Sequence, residues 1–314
     1  MGARFALAWR LHRWEIGAVA VAALGLSAWA LSVVPDLERL LAMCRAATEL
    51  VAPCGSLRDM GLVYSEESQT LLLMVTPLMG ALPFAAGVIL GAPLVARELE
   101  HGTAQLGWPL ARSRARWLWI RFLPVVLMGL ALLIIPAMAG EVVERALRPD
   151  FDPGASFEHY GMRGPLLVLR FLPAVAAAAL VGALLGRQLP AVLVAGVVVG
   201  AMAFGLGLTP PLWLEPEEQP EVFQPIDHMG SLFVHVRYRD RDGAWISIEE
   251  ADARMSWDGE GEEPDWTQLP EQVIFVIPGE RYGEVVARES AILGSVALVL
   301  GGLTLAVVRR RRPG

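Results

Sequence analysis

The sequence predicts an all-α polytopic membrane protein: six transmembrane helices, a short cytoplasmic helix between the second and third, and a small acidic extracytoplasmic α/β cap before the last. Three observations predict it. Of 314 residues, 54% are hydrophobic and only 19% are charged, against roughly a quarter charged in a soluble domain. The apolar residues gather into six runs, and a span needs about 20 of them to cross roughly 30 Å of hydrocarbon. The remaining charges are sorted by sign from loop to loop.

Residues 1–15 place Arg4, Arg10, His12 and Arg13 among Phe5, Leu7, Leu11 and Trp14, a pattern that suits an interfacial helix on the inner membrane face. Span one, 16–34, carries no charge. It is too long for the apolar core of a cleaved signal peptide and lacks an A-x-A exit. An outer loop at 35–69 leads to span two at 70–96, and an elbow at 97–116 leads to span three at 117–140. A second outer loop, 141–164, precedes span four at 165–186. That span is short between Arg170 and Arg187, so it needs the stretch from Pro165 and a snorkelling Arg170. Span five is 188–209, the cap 210–287, span six 288–308 and the Arg-rich tail 309–314.

An even number of spans puts both termini on one side, and Arg and Lys concentrate on the cytoplasmic side. With the termini inside, thirteen Arg stand there against Glu15, Glu98 and Glu100, leaving +10 inside and −17 outside within the overall −7. The pI of 5.4 therefore averages two opposite surfaces. Both termini are therefore expected on the cytoplasmic side of the membrane.

In the cap, Val234 to Arg239 alternates, Arg241-Asp242-Gly243 turns, and Ala244 to Ile248 alternates again, which predicts a β-hairpin. Val273 to Ile277 is an apolar run stopped by Pro278-Gly279, and Glu280 to Glu289 reads as a short helix leading into span six. Cys44 and Cys54 form a C-x9-C in an outer loop, where an oxidising compartment favours a disulfide. Spacing alone leaves two free thiols as the alternative, because pairing needs Cα atoms within about 7 Å.

All 26 basic residues are Arg, so no phosphate-loop or Schiff-base lysine exists. The span interiors hold no Asp, Glu, Lys or His once their end residues are set aside, which disfavours an ion-coupled carrier or an intramembrane protease. An apolar path suits lipid-like or amphipathic cargo, or a force-transmitting complex that moves none. Asp36 and Glu38, just outside span one, support the rival reading of an enzyme acting on lipid-linked substrates. Asp227, His228 and His235 match no tight metal spacing. Arg170 has two readings, contact with an anionic substrate and snorkelling to lipid phosphate. Gly196 and Gly200 form a G-x-x-x-G that permits close helix approach, with another protomer or a neighbouring span as partner.

The elbow is the most informative stretch. Span two continues as a helix through Arg97, Glu98 and Glu100, and Gly102 is a left-handed stop. Thr103 can cap a short helix at Ala104 to Gly107, and Pro109 biases Trp108 out of the helical region. Ser113 can cap the third helix, behind which Trp117 and Trp119 meet the bilayer. Glu98 and Glu100, two apart on a helix, point to different faces and suit docking or helix-end electrostatics rather than acid/base catalysis. Exposed Leu106 and Trp108 suit docking to another protein.

The run Gly91-Ala92-Pro93-Leu94-Val95-Ala96-Arg97-Glu98-Leu99-Glu100-His101-Gly102-Thr103, then Ala104 to Leu110, then Ser113-Arg114-Ala115-Arg116-Trp117-Leu118, resembles the permease subunits of type-2 ABC exporters. With Trp9 to Glu15 and the closing Arg309 to Pro313, it looks most like the actinobacterial branch. Gly107-Trp108-Pro109-Leu110 departs from the more polar segment usual there. The resemblance implies a chain without enzymatic activity or cofactor of its own, ATP and Mg being bound by a separate ATPase. It further implies a dimer of permeases on a dimer of ATPases, with Glu98, Glu100, Gly102, Thr103, Leu106 and Trp108 in the coupling helix region that docks. The expected partners are that ATPase, a second permease copy or a homologue, and membrane lipid, with no role for nucleic acid.

Overall fold

The computed structural model describes residues 2–46, 54, 62–103, 113–208, 214–220, 230–240, 242–255 and 270–311. Its helices are α1 (Gly2–Leu31), α2 (Val34–Ala46), α3 (Glu66–Glu100), α4 (Arg114–Leu147), α5 (Gly164–Leu169), α6 (Phe171–Leu185), α7 (Gln188–Leu208), α8 (Ile248–Met255) and α9 (Tyr282–Arg310). Among the described residues, six helical stretches are long and apolar enough to cross a membrane, namely those containing α1 with α2, α3, α4, α5 with α6, α7, and α9. The all-α membrane architecture with a small strand-bearing region near the C-terminus is therefore what the chain adopts.

Local chemistry sets the breaks. α1 leaves helical geometry at His12, with φ −121° and ψ 21°, which divides its basic N-terminal part from its apolar part. Ser65 opens α3 with a reciprocal capping box to Ser68. Ser113 opens α4 by accepting the Arg116 N–H at 3.2 Å. α3 at its start and α4 at its end both run on past the apolar runs, so Glu141, Glu144 and Arg145 are helical. The Cys44 and Cys54 sulfurs are joined, with Cα atoms 5.3 Å apart, and tie the end of α2 to the chain before α3.

The bundle is built around α3 and α6. Their axes approach at glycines: a Cβ on Gly91 would lie 2.5 Å from the Val175 carbonyl oxygen, and one on Gly182 would lie 2.4 Å from that of Ala92. Gly87 and Gly91 are thus a G-x-x-x-G used inside the chain, sealed by Ala174 and Ala178. Leu90, Val125, Leu133 and Phe171 pack beside this seam as the main core. α7 and α9 lie at the periphery, mostly exposed. Gly196 and Gly200 on α7 have nothing within 4 Å of a Cβ position, so no neighbouring span among the described residues packs on them.

The cap holds an antiparallel sheet of β1 (Glu217–Pro220), β2 (Leu232–Arg239), β3 (Trp245–Ile246) and β4 (Glu271–Ile277), in the order β1-β4-β2-β3. The hairpin expected around residue 242 is β2 with β3, pairing Tyr238 to Ile246 and Arg239 to Trp245, with Gly243 at φ +80° in the turn. Its second arm stops at Ile246 because the Ser247 hydroxyl accepts the Glu250 N–H at 3.1 Å and starts α8. The apolar run before Pro278 is the buried strand β4 between β1 and β2. Rather than a separate short helix, α9 runs unbroken from Tyr282 to Arg310.

Candidate functional site

One end of the bundle gathers the start of α1, the end of α3, the start of α4, the junction of α6 with α7, and the end of α9. We refer to this as the terminal face, and to the opposite end as the cap face. At the terminal face, residues 97–103 form a hub. Arg97 pairs with Glu15 and donates to the Leu11 carbonyl at 3.0 Å, which ties α3 to α1 across the His12 kink. Glu98 pairs with Arg121 of α4, and that guanidinium lies 4.9 Å from the centre of the Trp117 ring. Glu100 accepts the Gln188 N–H at 2.8 Å, placing a carboxylate on the positive N-terminus of α7.

Past this hub the helix ends at His101, whose N–H bonds back to the Arg97 carbonyl, and Gly102 turns left-handed at φ +69°. A Cβ at Gly102 would meet nothing within 4 Å, so only the backbone conformation demands glycine there. Thr103 donates its hydroxyl to Glu98 Oε2 at 2.6 Å, folding the turn onto the hub. Leu106 and Trp108 lie outside the described residues. Of the six candidate docking residues, Glu98 and Glu100 thus have their carboxylates engaged within the chain, and Gly102 and Thr103 form the turn that sets its outgoing direction.

A second tie completes the terminal face. Arg114 Nη1 donates to the carbonyls of Arg309 at 2.8 Å and Arg311 at 2.6 Å, holding the end of α9 to the start of α4. Arg311 in turn donates to the Leu184 carbonyl at the end of α6 at 3.1 Å.

The cap face carries a charge cluster that the residue-by-residue reading missed. Arg163 is buried and spends its guanidinium on Glu141 at 3.0 and 3.1 Å and on the carbonyls of Pro153, Ser156 and Glu158. Arg170 is also buried. It pairs with Glu289 of α9 at 3.0 Å and donates to the Gly161 carbonyl. Tyr160 donates to the same Glu289, and burial together with that bond pushes its hydroxyl well above the ordinary tyrosine range. Gly161 leaves no room for a side chain, since a Cβ would overlap the Arg170 guanidinium. The available signal was that Arg163 and Arg170 sit near span ends with Glu141, Glu144 and Glu289 at similar depth.

The other candidates are placed simply. Asp36 and Glu38 are exposed on α2, Asp36 paired with Arg39 at 3.0 Å. His235 stacks on Phe275 with ring centres 4.5 Å apart, while Asp227 and His228 lie outside the described residues. No group of three potential metal ligands occurs among the described residues.

The family model for ABC-2 membrane transporter related proteins matches residues 16–209, which contain the first five spans and the whole hub. No curated protein and no solved structure gives a significant match.

Proposed function

Because the chain belongs to the ABC-2 membrane transporter related family, we propose that it is the membrane-spanning permease subunit of an ABC exporter of actinobacterial type. It sits in a bacterial plasma membrane with both termini and the terminal face cytoplasmic. ATP and Mg are bound by a separate ATPase subunit, and the working unit is two permeases on two ATPases. The cargo is lipid-like or amphipathic, in keeping with span interiors that carry no acid or amine at depth.

The observation that supports this reading most is the hub. Leu106 and Trp108 dock in a groove of the ATPase, and Gly102 aims that docking segment. When the ATPases close, the end of α3 is displaced. Arg97, Glu98 and Glu100 pass that displacement to α1, α4 and α7, because each holds a different helix. The links are one or two contacts each at partly exposed sites, with exposed ion pairs worth about 1 kcal/mol or less, so they can be exchanged during a cycle without unfolding the bundle.

Purification of the full chain with its ATPase tests this. Trp108→Ala removes an interface aromatic worth about 2 kcal/mol or more, and Gly102→Val forces a β-branched residue into the left-handed region. Both variants are expected to insert normally yet lose complex recovery and stimulated ATP hydrolysis, whereas Glu249→Ala in the cap leaves both intact. Recovery of a fully stimulated complex with Trp108→Ala would contradict the docking role. In a background lacking the native cysteines, Ser113→Cys should be shielded from an impermeant thiol reagent in intact cells and Glu249→Cys labelled. The reverse pattern would overturn the orientation.

A further inference from the structure

Between α4, α6 and α9 lies a crevice of about 480 Å3. Its mouth is on the outer surface of the bundle, where Trp119, Leu123 and Leu298 are strongly exposed and Gly302 is also open to the surface, and Leu305 and Val175 line it further in. Glycine makes this space, since Gly302 contributes no side chain and a Cβ there would meet nothing within 4 Å. On the terminal-face side of the crevice, the Arg114 bonds to the last carbonyls of α9 hold α4 and α9 together.

Two cations follow the lining residues toward the terminal face. Arg116 precedes Trp119 and Leu123 by three and seven residues, and Arg309 follows Leu305, Gly302 and Leu298 by four, seven and eleven. Those spacings put both arginines on the helix faces that line the crevice. The three acids at this face are already engaged, Glu15 by Arg97, Glu98 by Arg121 and Thr103, and Glu100 by the Gln188 N–H. Among the described residues no carboxylate answers Arg116 or Arg309.

We propose that this crevice binds one anionic phospholipid from the leaflet at the terminal face, an acyl chain lying in the apolar slot and the phosphate held by Arg116 and Arg309. The slot has the volume of a small-ligand pocket, about 300–1,000 Å3, whereas an α-helix of a second copy is about 10–12 Å across with its side chains. Arginines that no described carboxylate answers, at headgroup depth, complement a phosphate, which takes paired N–H donors well. The proposal rests on the reading that the helices span a bilayer, and not on the ATPase.

Native mass spectrometry of the full chain, released without any ATPase from nanodiscs of phosphatidylglycerol and phosphatidylcholine, tests it. The wild type should retain one phosphatidylglycerol per protomer in preference to phosphatidylcholine. Gly302→Leu fills the slot and should lower that retention at least about tenfold, a change of roughly 1.4 kcal/mol. Gly17→Leu, an equally unhindered site on α1, should leave it unchanged. Arg116→Gln with Arg309→Gln should reduce the headgroup preference by about thirtyfold, as two surface arginines worth about 1 kcal/mol each imply. Retention at the wild-type level in Gly302→Leu, or loss of a dimer with lipid retention unchanged, would overturn the proposal. Because no ATPase is present, failure of the docking reading leaves these outcomes readable.

Discussion

Arg163 at the cap face and Arg121 at the terminal face each meet a glutamate, yet their surroundings differ. Arg163 is almost wholly buried, its side chain 2% exposed, and holds a bidentate Glu141 together with three carbonyls of the loop between α4 and α5. Arg121 has 24% of its side chain exposed and pairs with Glu98 beside one tryptophan ring. A buried guanidinium whose nitrogens are all bonded fixes one packing, while a partly exposed pair is weak enough to be exchanged. The difference teaches which end is held and which end adjusts. The cap face clamps α4, α6 and α9 together, and the terminal face lets one helix end steer several others.

The comparison breaks most visibly at Arg163. Arg163→Met leaves the part-exposed Glu141 without its cation and strands three carbonyls, a loss of about 3 kcal/mol. Thermal unfolding in detergent should fall sharply, and a loss below about 1 kcal/mol would mean that the cap face is not the fixed end. Next in size is the Cys44–Cys54 link, which closes a short loop at the cap face. Cys44→Ser with Cys54→Ser should cost up to about 3 kcal/mol by the chain-entropy account, and mass spectrometry of the unreduced protein should find no free thiol. The smallest effect belongs to the terminal face. Glu98→Ala should lower stability by about 1 kcal/mol or less, and a loss as large as that of Arg163→Met would erase the contrast between the ends.

The spans were legible because each depends only on its own composition over about 20 residues. The hairpin at β2 and β3 was legible for a similar reason, since Asp242-Gly243 fixes its turn locally. Pairings over long separations were not. Gly87-x-x-x-Gly91 and Gly196-x-x-x-Gly200 carry the same pattern, and only the facing chain tells them apart: Ala174, Val175 and Ala178 press on the first pair, and nothing presses on the second. The Arg170 pair with Glu289 could not be read locally, because the two residues are 119 positions apart. At the hub, Gly102 was readable from its helix-end position, whereas the assignment of Glu98 to α4 and Glu100 to α7 required the assembled bundle. Their two-residue spacing was the visible trace, since it points them to different neighbours.

The central claim is that the hub transmits motion rather than holding the fold. It is tested most directly by ATP hydrolysis in the purified permease–ATPase complex carrying Glu98→Ala, compared with the wild type at equal complex yield and equal unfolding temperature. The account predicts that the complex forms and that stimulated hydrolysis falls about tenfold, the scale of a coupling energy of 1–3 kcal/mol. Full stimulation in Glu98→Ala at an unchanged unfolding temperature would contradict it.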